Sequence, residues 1–178
     1  GDAGFAGDTV AALRVVEGAL VVASAVMGVE VQTSRVWARA EALDLPRVVF
    51  VNMLDRERAD FYRALEQFRS QLSERCLAVH LPIGTEHELT GIVDLLHMTA
   101  YGSPEGERES GPMEIPEELH DTVEQYRTQL LDSVVETDEK LMERYLEGEE
   151  LSVEEVAHAL KDAVTRGELF PVACGVAT

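Results

Sequence analysis

Short apolar runs alternate with helical patterns over the first half of the chain. Residues 19–25 and 47–52 are continuous, valine-rich apolar runs, a pattern typical of strands that are buried on both faces. A third strand is predicted over residues 77–81. Helical patterns lie between these runs, and the connections are short. Strands and helices that alternate in this way form βαβ units around a parallel sheet, so we predict an α/β fold.

The spacing of apolar residues predicts three helices in the same part of the chain. The first covers residues 9–18, and the second covers residues 33–43 with Trp37 on its core face. The third begins at Asp55, a residue type that caps helices. It carries apolar residues at helical intervals, namely Phe61, Leu65, Phe68 and Leu72.

The pattern changes after Gly84. Residues 89–100 favour strands, and residues 102–112 form a loop that is rich in glycine and proline. Three helical patterns follow, and a capping box at residues 152–155 begins the last of them. A final strand is predicted over residues 169–174, and its proline favours an edge or an irregular stretch.

The order of these elements predicts an insertion before the final strand. The acidic helices interrupt a sheet that the last apolar run completes. We therefore divide the chain into three parts: a first α/β part over residues 1–75, an α+β insertion over residues 76–167, and the final strand with its loop over residues 168–178.

The charge of the chain limits its partners. The net charge is −19, and the stretch 103–162 has 19 acidic against 5 basic residues. Such a segment repels phosphate backbones, so we expect no direct DNA contact. No apolar run approaches the ~20 residues of a membrane helix, and no signal peptide is visible. The two cysteines lie far apart and suit a reducing cytoplasm better than a disulfide framework.

A polar motif follows the second predicted strand. Asn52 and Asp55 lie three apart on a strand-to-helix turn, where an amide and a carboxylate can act together. A carboxylate accepts paired N–H bonds of the kind that the N1–H and 2-amino groups of guanine offer. The alternative is structural, with Asp55 as a helix cap and Asn52 as a turn residue.

Glycines mark two other candidate stretches. Gly175 follows the final strand, where its backbone could approach a ligand closely, although a plain turn explains it equally well. Residues 1–8 hold three glycines and fit either a switch-like loop or a frayed terminus. His80 and His87 flank a turn, but we expect surface histidines here and no metal site.

Taken in order, these stretches resemble the translational GTPases, and among them the elongation factor G family. The resemblance rests on GVEVQT at 28–33, PRVVFVNMLD at 46–55, TGIVDL at 90–95 and LMERYLEGEEL at 141–151. It covers essentially the whole chain. It implies the back half of a P-loop GTPase-type domain, with an insertion that elongation factor Tu lacks.

The resemblance also implies roles for particular residues. The parent protein would bind GTP or GDP with Mg²⁺, hydrolyse GTP and act on the ribosome in translocation or recycling. Asn52 and Asp55 would contact guanine, and Met53 would take the position of the lysine in N-K-x-D. The acidic inserted helices would face the ribosomal stalk protein. The remaining positions are Gly1 in the γ-phosphate switch, Asp2 at the place of the catalytic histidine, and Gly175, Val176 and Ala177 beside the base.

The chain departs from the family pattern in three ways. It contains no G-x-x-x-x-G-K-[ST], the loop that cradles phosphates. Asp2 replaces a histidine, and an acid near a γ-phosphate adds repulsion. Met53 and Val176 replace a lysine and a serine. We therefore expect the chain alone to hold no nucleotide and to hydrolyse no GTP.

These departures leave two alternatives. The chain could be a degenerate, non-hydrolysing binding module, or part of a ribosome-protection protein of the tetracycline-resistance kind. In every case a partial sheet exposes a strand edge. We expect that edge to pair, either in a dimer or with an upstream segment.

Overall fold

The structure, a computed structural model, describes residues 6–102 and 111–176. The strands in these ranges form two four-stranded sheets. The first is parallel, in the order β1-β2-β8-β3, and contains β1 (Ala19–Ser24), β2 (Arg47–Asn52), β8 (Phe170–Cys174) and β3 (Cys76–Ala78). The second is antiparallel, in chain order, and contains β4 (His80–Ile83), β5 (Gly91–Asp94), β6 (Thr99–Gly102) and β7 (Gly111–Met113). The α/β fold with a parallel sheet is confirmed.

Six α-helices lie in the described ranges, and three of them belong to the second half of the chain. They are α1 (Ala6–Leu13), α2 (Val31–Glu41), α3 (Phe61–Gln71), α4 (His120–Val135), α5 (Glu139–Leu146) and α6 (Val153–Thr165). α4 packs against α6 and β3, which joins the acidic helices to the parallel sheet. Within the described ranges, no helix combines the length and the apolar character that crossing a membrane requires.

The first helix is shorter than its apolar pattern predicts. α1 ends at Leu13, which is buried, whereas Val15 and Val16 beyond it are 80% and 40% exposed. The prediction of a helix to residue 18 is wrong because no core surface is available to cover those valines.

The third helix begins later than predicted. The carboxylate of Asp60, and not that of Asp55, accepts the cap hydrogen bond, from the Arg63 N–H at 2.9 Å. Phe61 follows this cap and is 2% exposed. The helix therefore starts where its buried stripe starts, and Asp55 lies outside it in the preceding loop.

The single strand predicted over residues 77–81 is two strands in different sheets. The chain passes from one sheet to the other at Val79. The Val79 N–H donates to the Val172 carbonyl at 3.0 Å, and the Val79 carbonyl accepts from the Leu95 N–H at 3.0 Å. Residues before Val79 pair with β8, and residues after it pair with β5. The change of sheet thus falls three residues after position 76, and the division into 1–75, 76–167 and 168–178 stays a prediction.

The final strand occupies the interior of the parallel sheet. β8 lies between β2 and β3, so the expectation of an edge position for Pro171 is wrong. Pairing with β2 begins only at Val172, opposite Val49, and Phe170 donates to the Arg75 carbonyl on the other side at 3.1 Å. Pro171 precedes the β2 ladder, so its missing N–H interrupts no hydrogen bond there.

A buried arginine lies at the amino end of this sheet. Arg47 is 4% exposed, and its guanidinium carbon lies 4.6 Å from the Trp37 ring centroid and 4.4 Å from that of Phe170. Burial lowers the pKa of Arg47, and Glu41 at 3.7 Å opposes that effect. The cation therefore joins α2 to two strands through its contacts with both rings.

The first strand is only half covered. Leu20 and Val22 on β1 are 64% and 59% exposed, so the prediction of a strand buried on both faces is wrong. In the described ranges β1 pairs with β2 alone, which leaves its other edge open. The pairing of that edge, in a dimer or with an upstream segment, stays a prediction.

The predicted capping box of α6 is present. The Ser152 hydroxyl accepts from the Glu155 N–H at 3.2 Å, and the Glu155 carboxylate accepts from the Ser152 N–H at 2.9 Å. Arg144 on α5 donates to the same carboxylate. The hydrogen bond from Arg144 and those from Ser152 lower the pKa of Glu155 to about 2. The box therefore joins two helices of the second half of the chain.

Replacing the cap hydroxyl tests this junction. We expect Ser152→Ala to lower the free energy of unfolding by about 1 kcal/mol, because an N–H of the first turn loses its acceptor. Urea unfolding followed by far-UV circular dichroism measures the change. Thr128→Ala, which removes an exposed hydroxyl from the interior of α4, is the control and should change stability little. An equal loss in both variants would contradict the role of the cap.

Candidate functional site

The carboxyl ends of the parallel strands form one edge, and β2 occupies its centre. Ser24 at the end of β1 lies opposite Asn52 at the end of β2. The Ala25 N–H, one residue further, donates to the Asn52 carbonyl at 2.8 Å. The loops that follow β1 and β2 therefore leave the sheet side by side. In open α/β sheets, such edges are where ligands bind.

The last strand brings the glycine stretch to the same edge. Cys174 lies opposite Val51, and the Gly175 N–H donates to the Val51 carbonyl at 3.1 Å. A Cβ atom on Gly175 would lie 3.0 Å from Cζ of Phe50, which is closer than most real contacts of this kind. A glycine is therefore favoured here by a close approach to a neighbouring ring.

Two of the predicted polar residues lie on the loop after β2. The Asn52 Oδ1 accepts from the Met53 N–H at 2.8 Å, which fixes the first turn of this loop. The Asp55 side chain is 43% exposed, and its nearest cation, Nε of Arg56, lies 3.9 Å away. Asp55 is thus an accessible carboxylate on a loop that Asn52 shapes. Such a group can accept two parallel N–H bonds from a planar ligand.

Met53 stands out in this loop for its backbone. Its φ is +65°, a left-handed conformation that non-glycine residues adopt only when the surroundings require it. Its side chain is 46% exposed. The thioether is apolar and flexible, so it can cover the face of a ring, and it carries no charge for a phosphate.

The other predicted site residues divide into two groups. Val176 is half-buried and packs against the main core beside Gly175. Gly1, Asp2 and Ala177 lie outside the described residues, so their expected roles stay predictions. The structure thus brings Asn52, Met53, Asp55, Gly175 and Val176 to one edge of the sheet.

Side chains of α3 hold the loop after β1, a feature that the sequence pattern does not predict. The Gln67 Oε1 accepts from the Val29 N–H at 3.0 Å. Gly28 has a φ of +66°, and a Cβ atom there would lie 1.8 Å from that same oxygen. Arg63, one turn earlier on α3, donates to the Val26 carbonyl at 2.9 Å. Only Gly28 gives a local signal, because the donors and acceptors lie 37 and 38 positions apart.

The two cysteines and His80 indicate packing rather than catalysis. Burial raises the pKa of both the Cys76 and the Cys174 thiol to about 12, so both are neutral at pH 7. Burial also lowers the pKa of His80. Among residues 6–102 and 111–176, no three side chains of the metal-binding types form a group that could hold an ion.

The chain is similar to proteins of known family. All of residues 1–178 match the family described as the elongation factor Tu GTP binding domain. Elongation factor G of Thermotoga petrophila is 40% identical over 99% of this chain. A crystal structure of a Thermus thermophilus protein is 41% identical over 99% of the chain, with a TM-score of 0.89.

The relatives are much longer than this chain, which spans 26% of each. The similarity supports the elongation factor interpretation, and it gives no support to a degenerate binding module or to a ribosome-protection protein. The family match over the whole chain and the structural similarity point to the same family. The chain belongs to the family of elongation factor GTP-binding domains.

Proposed function

We propose that this chain is the guanine-recognising part of an elongation factor G-like translational GTPase. One observation carries the proposal. The loop with Asn52 and Asp55 and the loop with Gly175 and Val176 lie next to each other at the carboxyl edge of a parallel sheet.

The chemistry of these loops fits a guanine base. The exposed Asp55 carboxylate can accept from N1–H and from the 2-amino group, and adenine offers no such pair of donors. Met53 is exposed beside it and can cover one face of the ring. On the other loop, the backbone of Gly175 and Val176 could approach the base closely. Ala177 follows them in the sequence.

The phosphates require residues that this sequence does not contain. It has no G-x-x-x-x-G-K-[ST], the motif whose lysine and Ser/Thr serve the phosphates and Mg²⁺. We therefore assign phosphate and Mg²⁺ binding to other parts of the parent protein. There Gly1 would belong to the γ-phosphate switch, with Asp2 at the histidine position. No step of hydrolysis is derived from this chain.

The second part of the proposal concerns the ribosome. The parent protein would act there in translocation or recycling, and so in the cytoplasm. We propose that the acidic helices α4 to α6 contact the stalk protein. The surface has both charge and apolar area, because Leu146 on α5 is 77% exposed and Met142 is 37% exposed. A basic, amphipathic segment would complement it.

Exchanging the carboxylate for an amide tests guanine recognition. We expect Asp55→Asn to weaken GDP binding by the full-length protein roughly a hundredfold, because one N–H of guanine loses its acceptor. The same variant should gain affinity for xanthosine diphosphate, whose C2 carbonyl accepts from the new amide. Equilibrium titration with fluorescent GDP and xanthosine diphosphate measures both changes.

Glu57→Gln is the matched control for that experiment. It removes the same charge from an exposed position in the same loop and should leave both affinities unchanged. Unaltered base preference in Asp55→Asn would contradict guanine recognition by this residue.

Hydrolysis should require more than this chain. We expect residues 1–178 alone to release no phosphate from GTP over many turnovers, because they lack the phosphate loop. A phosphate-release assay on the purified chain and on the full-length protein compares the two. Steady turnover by the chain alone, lost in Asp55→Ala, would refute this expectation.

The stalk contact predicts a local effect on α5. We expect Leu146→Ser to weaken binding of purified stalk protein by roughly tenfold, because an exposed leucine would no longer be buried at the contact. Met98→Ser changes a side chain of similar size that is 40% exposed in the turn between β5 and β6, and it serves as the control. If both variants bind equally well, the contact does not include α5.

A further inference from the structure

We propose that Glu86 is a positioning residue for guanine binding. It is carried by the second sheet and not by the parallel sheet that forms the site. The inference rests on the proposed function, because it concerns the loop that presents Asp55. Glu86 would act through the backbone of that loop and would not touch the nucleotide.

The contact that carries this inference joins two distant parts of the chain. The Glu86 Oε1 accepts a hydrogen bond from the Arg58 N–H at 2.7 Å, across 28 positions of sequence. Arg58 lies three residues after Asp55 and has a φ of +67°. A left-handed conformation at a long side chain is held only where its surroundings fix it. A charged acceptor on the N–H is such a constraint.

The carbonyl group of the same residue is also held. The Arg58 carbonyl accepts from Nη2 of Arg63 at 3.3 Å, and that nitrogen also donates to the Val26 carbonyl at 2.9 Å. The N–H of Asp60, two residues further, donates to the Ala25 carbonyl at 3.1 Å. The carboxyl-terminal half of the loop is therefore fixed by α3, by the loop after β1 and by the turn after β4 that contains Glu86.

Glu86 lies in a turn whose backbone is fixed by hydrogen bonds. It begins the short 3₁₀ turn Glu86–Glu88, which follows β4 and ends with the Leu89 N–H donating to the Glu86 carbonyl at 3.2 Å. Gly84 before the turn has a φ of +83°, and a Cβ atom there would lie 2.0 Å from the Glu88 carbonyl oxygen. The Thr90 N–H then donates to the Ile83 carbonyl at 2.9 Å, which closes the turn on the sheet.

A cleft separates the two segments that this hydrogen bond joins. It has a volume of about 380 Å³ and lies between the loop and the second sheet. Its walls include Leu54, Asp60, Tyr62, Pro82, Thr85 and Glu86. Without the Glu86 carboxylate the loop has room to move toward this cleft. Because Glu86 belongs to no core cluster, its loss should change loop geometry more than stability.

Nucleotide dissociation is the measurement that separates these effects. We expect Glu86→Ala in the full-length protein to raise the dissociation rate of fluorescent GDP about tenfold, with an unchanged melting temperature. Glu86→Gln keeps an acceptor oxygen at the same distance and should restore most of the slow rate. Glu88→Ala removes the same charge from an exposed position on the same turn and is the control.

The outcomes separate this inference from the proposed function. If Glu86→Ala dissociates GDP at the normal rate while Asp55→Asn changes base preference, the positioning role is wrong and guanine recognition stands. If Asp55→Asn leaves base preference unchanged, guanine recognition itself fails. Equal acceleration in Glu88→Ala would indicate a general charge effect and overturn the role of Glu86.

A further variant covers the case in which Glu86→Ala does not fold. Glu86→Asp keeps the charge but shortens the side chain by one methylene, so its carboxylate cannot reach the Arg58 N–H at the observed geometry. We expect the same faster dissociation from Glu86→Asp. A normal rate in a folded Glu86→Asp protein would overturn the proposal.

Discussion

The parallel hydrogen bonding of β8 between β2 and β3 is the constraint on which the site depends. Residues 79–169 separate β3 from β8, yet β8 returns to the interior of the sheet. Its register sets Cys174 opposite Val51, and the next N–H still bonds to β2. Any shift of this strand would separate the glycine loop from the loop with Asp55. The site is therefore a consequence of strand pairing across a long intervening segment.

The segment between β3 and β8 is closely joined to the parallel sheet. Val79 bonds to β8 with its N–H and to Leu95, just after β5, with its carbonyl. The main hydrophobic core includes Val49 in the first sheet, Val93 in the second and Val156 on α6 without a break. The two sheets and α6 therefore share one core. A close-packed core has low compressibility and transmits strain between the elements that line it.

Local pattern predicted much of the fold, and its errors have a common origin. The apolar run 47–52 gives β2 at the same residues, and the capping box of α6 is where Ser152 and Glu155 placed it. The predicted start of α3 was wrong because Asp55 and Asp60 are equally good helix caps by residue type. Burial of Phe61 decided between them. The interior position of Pro171 was missed because it depends on the register between β8 and β2, which the sequence of one strand does not reveal.

The class of fold, the family and the residue types that suit a guanine base follow from the linear sequence, because they depend on periodicity and on short motifs. Which of those residues meet depends on the packing of the whole chain. The hydrogen bond between Glu86 and Arg58 and the contacts of Arg63 join positions that have no relation in the linear pattern. These contacts exist for a physical reason. A loop with residues in left-handed conformations needs hydrogen-bond partners from other segments, and the packing of distant segments provides them.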